Sequence, residues 1–100
     1  MIRTSLIGAT ALLFAAPAIA GNAFTASLSE PVPERVTFVA NSAVWTCEGE
    51  TCFAELDRRT PTVRTCKQVA KEIGALASFE SERGTLDEGE LERCNTAAKD

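Results

Sequence analysis

Histidine is absent from the whole chain, which excludes a Ser-His-Asp triad, a Cys-His nucleophile pair and any histidine-ligated metal site. A membrane span is missing as well, since crossing the hydrocarbon core takes roughly 17–25 apolar residues. The longest apolar run, Leu6 to Ala16, is shorter and is interrupted by Gly8 and Thr10. There is no Cys-x-x-Cys pair, no internal repeat and no low-complexity stretch. Basic residues are in deficit, so a nucleic-acid partner is not expected: the average field repels a polyanion.

What is present begins with an address. Met-Ile-Arg-Thr-Ser carries one positive charge and leads into the apolar run, and after Pro17 the triplet Ala18-Ile19-Ala20 puts small residues where a signal peptidase reads them. Residues 1–20 therefore read as a cleavable signal peptide cut after Ala20, and residues 21–100 as one small domain, periplasmic or secreted. Arg3 lies in the leader, which leaves nine Lys and Arg against fourteen Asp and Glu, a net charge of −5.

A domain of this size is near the limit at which a core alone suffices. Cys47, Cys52, Cys66 and Cys94 all fall after the leader, and an even count in a short exported chain reads as a disulfide framework.

Alternation of Phe24, Ala26 and Leu28 with Thr25 and Ser27 predicts a strand over Ala23–Leu28, and the β-branched and aromatic segment Arg35–Ala40 a second. Asn41-Ser42 is the turn into a third, Ala43–Cys47. A four-residue loop, Glu48 to Thr51, joins it to a fourth, Cys52–Leu56. Parity sets the register: with Cys47 opposite Cys52, Trp45 and Ala54, like Ala43 and Leu56, share the core face, while Val44, Thr46, Phe53 and Glu55 point the other way.

Thr60 reads as the N-cap of a helix with Pro61 at its first position, carrying Val63, Cys66, Val69, Ala70 and Ile73 on one stripe, with Lys71 in the last turn and Gly74 ending it. Ala75–Glu80 is expected as a fifth strand with Ala75, Ala77 and Phe79 inward. Thr85 to Glu88 has capping-box spacing for a second helix, whose inner face is Leu91, Cys94 and Ala98. The fold class is α+β: a mainly antiparallel sheet of four or five strands with both helices on one face. Of three possible pairings, Cys47 with Cys52 and Cys66 with Cys94 suits it best.

The groups able to carry chemistry have plainer readings. A redox pair usually sits at a helix N-terminus, whereas Cys47 and Cys52 lie on a hairpin among Glu48 and Glu50; thiol-disulfide exchange is the alternative function. Zinc sites use paired short spacings that Cys66 and Cys94 lack. Glu48, Glu50, Glu55, Glu72, Glu80, Glu82, Asp87, Glu88, Glu90 and Glu92 read as solvated surface rather than acid/base pairs. Arg58, Arg59, Arg64 and Lys67 are a local basic cluster that could serve as an anion or partner surface. Trp45 belongs to the core. No catalytic residue, cofactor or metal is expected.

Ala43-Val44-Trp45-Thr46-Cys47 through Cys52, Arg64-Thr65-Cys66, Val69-Ala70-Lys71-Glu72-Ile73-Gly74 and Cys94-Asn95 resemble an uncharacterised family of small exported alphaproteobacterial proteins, along essentially the whole chain. The resemblance implies a periplasmic address and a single domain, and it lends no catalytic residue. The functional expectation is a non-enzymatic domain that binds an envelope or extracellular partner or contributes to envelope structure. A small inhibitor or ligand-binding module is a further alternative.

Overall fold

The computed structural model describes residues 21–99; the leader expected over residues 1–20 lies outside them. Eight elements follow in order: β1 (Asn22–Leu28), β2 (Val36–Ala40), β3 (Ala43–Glu48), β4 (Thr51–Leu56), α1 (Val63–Ile73), β5 (Leu76–Ser81), β6 (Gly84–Thr85) and α2 (Glu88–Asn95). They form one antiparallel sheet of six strands, ordered β2-β3-β4-β1-β5-β6, so the class is the expected α+β with one or two more strands than predicted. Among the described residues no helix is long and apolar enough to cross a membrane.

Two tight turns fix the register of the first half. Asn41 and Ser42 both hold left-handed backbone, φ 58° and 60°, between the paired Ala40 and Ala43. That is the two-residue loop whose twist matches the flanking strands. The second loop is also two residues rather than four: Glu48 pairs with Thr51, and Gly49 alone turns left-handed at φ 61°. Glycine there makes the tighter closure available, which sequence spacing alone did not distinguish.

The pair flanking a two-residue loop exchanges hydrogen bonds, so the next pair out does not, and its Cα atoms approach most closely. Cys47 and Cys52 occupy that position, opposite one another, and are bonded.

β1 threads the middle, between β4 and β5. Its ladder with β5 slips where Ser27 faces Ser78 but Leu28 faces Leu76. The extra residue is a bulge, and it corrects the expected inward set: Leu76 and Phe79 are buried, Ala77 is exposed and Ala75 lies before the strand. Strict alternation would have buried two alanines; the bulge buries a leucine, with more apolar area removed from water. The short β6 has no counterpart among the expected strands. It pairs with β5 through Ser81 with Gly84 and Glu80 with Thr85.

Both helix starts lie two residues beyond the expected caps. Thr62, not Thr60, caps α1, its hydroxyl accepting from the Thr65 amide at 3.1 Å, while Pro61 is buried just before the cap. In α2 the capping box is Asp87 with Glu90: the Glu90 amide donates to Asp87 Oδ1 at 2.8 Å and the Asp87 amide to Glu90 Oε1 at 2.9 Å. Thr85 is unavailable because it is paired in β6. Gly74 ends α1, returning its amide to Ala70 O at φ 117°.

The helices lie on one face of the sheet, joined by the Cys66–Cys94 bond. Asn95 fixes α2 to the sheet with both ends of its amide: Oδ1 accepts from the Leu76 amide and Nδ2 donates to the Leu76 carbonyl, each at 2.9 Å. Between the layers Trp45 is fully buried, stacked on Phe38 and Phe79 at centroid distances of 6.2 and 6.0 Å, and its indole N–H donates to Ala40 O at 3.3 Å. Phe24, Leu28, Leu56, Val69, Leu76 and Leu86 complete the core.

Candidate binding face

The groups with reactive chemistry are placed out of reach or apart. All four cysteines are fully buried and bonded, and none is free. Among the described residues no three His, Cys, Asp or Glu side chains converge on a point that could hold a metal. Asp87 and Glu90 are committed to the α2 cap, and Glu48 pairs with Arg35 at 3.3 Å.

The basic cluster is divided by its bonding. Arg58 donates to Thr65 Oγ1 at 3.1 Å and lies 3.8 Å from Asp57, so it closes the loop onto the first turn of α1. The Arg59 carbonyl accepts from Ser81 Oγ at 2.6 Å, which ties the same loop to β5. Arg64 is exposed and Lys67 half-buried along α1.

The feature that stands open is the sheet face turned away from the helices. A side-chain row crosses all six strands there: Thr37, Thr46, Phe53, Thr25, Glu80 and Thr85 are successive register partners. Beside it Val39 faces Val44. Val39, Val44 and Phe53 are 64%, 63% and 52% exposed, the exposed large apolar side chains among the described residues. Parity had assigned Val44, Thr46, Phe53 and Glu55 to this side. The signal that could have marked it as functional is composition, because a merely solvated face does not need β-branched and aromatic residues at its centre.

The same face is cut by a groove. β3 and β4 pair only from Glu48 with Thr51 to Thr46 with Phe53, and beyond that the two strands part. The groove has a volume of about 450 Å³, with Val44, Thr46, Phe53, Ala23, Thr25 and Glu55 along its walls. A smaller hollow of about 240 Å³, reaching Gly21, Asn41 and Asp57, continues the gap toward the end of the sheet.

An antiparallel sheet with one open face, and two disulfides holding its hairpin and its helices, defines a small disulfide-stabilised α+β domain. The family of unknown function DUF8200 matches residues 9–96, and the chain belongs to that family. No curated protein and no solved structure matches it.

Proposed function

We propose that the protein works outside the cytoplasm as a non-enzymatic domain that binds a partner through the open face of its sheet. The observation that carries this reading is the exposure of Val39, Val44 and Phe53 together on a face that neither α1 nor α2 covers. Contiguous apolar surface of this kind costs solubility unless something docks on it. The address rests on the leader expected over residues 1–20 and suits the two disulfides, which form and persist in oxidising compartments. The burial of Cys47 and Cys52 weighs against thiol-disulfide exchange, because an attacking thiolate has no access to either sulfur.

Site-specific photo-crosslinking tests the reading. A photoreactive side chain at position 44 should give a discrete cross-linked species in the envelope or medium of producing cells, and one at exposed Glu72 on α1 should not. Capture from position 72 alone, or from neither position, would overturn it.

A further inference from the structure

The strands of this sheet are charged with one sign only. No lysine or arginine occurs in any of the six, and their charged residues are Glu48, Glu55 and Glu80. All three lie on the open face by register: Glu48 opposite Thr51, Glu55 opposite Ala23 and Glu80 opposite Thr25. Arg35, just before β2, reaches Glu48. Among the described residues neither Glu55 nor Glu80 has a salt-bridge partner.

The groove adds main-chain chemistry. Hydrogen-bonding direction alternates along an antiparallel strand, and the Leu28 amide bonding to Glu50 O fixes the phase for β4. Leu56, Ala54 and Cys52 therefore bond toward β1, and Thr51, Phe53 and Glu55 toward β3. In β3 the Asn41-Ser42 turn fixes the phase: Ala43, Trp45 and Cys47 bond toward β2, and Val44, Thr46 and Glu48 toward β4. Thr46 meets Phe53, but Val44 and Glu55 have no register partner across the gap. Their N–H and C=O groups thus face the groove without a register partner on the other strand, bonded to solvent and available to an added strand.

We infer that the groove between β3 and β4 receives an extended segment of a partner polypeptide that carries an apolar side chain flanked by lysine or arginine. The inference rests on the open face being the binding surface and names what binds there. Main-chain donors and acceptors at Val44 and Glu55 select a polypeptide backbone, as strand addition does elsewhere. Val44 and Phe53 offer the contact for an apolar side chain, and Glu55 with Glu80 sets the sign of its neighbours. A second copy of this chain is disfavoured as occupant, since face-to-face packing would bring like carboxylates together.

A displayed library of random nine-residue peptides, selected on the purified protein with its disulfides intact, tests the inference. Enriched peptides should be net positive, with β-branched or aromatic residues between the bases. Their amide shift changes should centre on Val44 and Glu55. Glu55→Lys should weaken a selected peptide by at least about tenfold, and N-methylation of alternate peptide amides should abolish binding in one phase and spare it in the other. Because Glu55 is exposed, that variant keeps its core.

Selection of neutral or acidic peptides, no enrichment at all, indifference to Glu55→Lys, shifts confined to the β2 edge at Thr37 and Val39, or a dimer dissolved by Val44→Asp would each overturn the inference. If crosslinking from position 44 succeeds while the library yields no basic peptide, the groove's occupant is wrong and the binding face stands. If position 44 is silent, the face itself is wrong.

Discussion

Replacing Cys66 and Cys94 together by alanine should lower the unfolding free energy by roughly 2–5 kcal/mol. The two residues are 28 positions apart, and in the loop-entropy account a closed segment of this length stabilises by roughly 3.5 kcal/mol, against roughly 2 for a hairpin-sized loop. Cys47 and Cys52 are separated by only five positions. The longer bond has a second role: Cys94 is the buried residue of α2, so without the sulfur bridge that helix depends on half-buried Leu91 and the Asn95 amide. Denaturant melts of the two double variants should place the Cys66/Cys94 loss above the Cys47/Cys52 loss. An equal or reversed order contradicts the assignment of the helix bond as the principal staple.

Trp45→Ala should cost about 3–5 kcal/mol, the range for removing a buried aromatic ring. Trp45 fills the space between Phe38 and Phe79, and those contacts have no other large side chain to replace them. Truncation would also remove the indole hydrogen bond to Ala40 O, although that carbonyl keeps its ladder partner Ala43. In a domain this small such a loss approaches the whole stability, so the expected result is a largely unfolded chain at 25 °C by circular dichroism. Trp45→Phe, which keeps most of the ring area, should recover much of the fold. A cooperative melt of Trp45→Ala close to that of the parent would mean the aromatic stack is not the centre of the core.

Parity was the most informative feature of the sequence. Alternation around Phe24, Trp45 and Ala54 assigned the two faces of β1, β3 and β4, and the structure puts the same residues inside. The Cys47–Cys52 register follows from the same count, and the helical stripes through Cys66 and Cys94 suggested the second bond. The caps were displaced because Thr60-Pro61-Thr62 and Thr85-Leu86-Asp87 each offer two capping side chains, and tertiary pairing chooses between them. Thr85 goes to β6 and leaves Asp87 to cap α2. The bulge at Ser27 and Leu28 was invisible for a similar reason: only the partner strand reveals that Leu76, not Ala77, finds the core.

The candidate face was half legible. Its residues could be assigned to the outer side, but their exposure depends on the lack of a third layer there among the described residues, and no local pattern states that. The divergence of β3 from β4 beyond Thr46 was hidden too, because both segments have ordinary strand composition. Mixed charge along the chain also concealed a spatial sorting in which, among the described residues, every base lies on loops and helices and the strands keep only glutamate.

The claim that the protein acts by its surface and not by its thiols is tested most directly by the reduction potential of the Cys47–Cys52 bond in the folded protein. Buried between paired strands, the bond should equilibrate with a redox buffer only at potentials below about −300 mV, as structural disulfides do. A value near that of the periplasmic or reticular oxidoreductases, about −120 to −200 mV, would contradict the account and return the hairpin cysteines to catalysis.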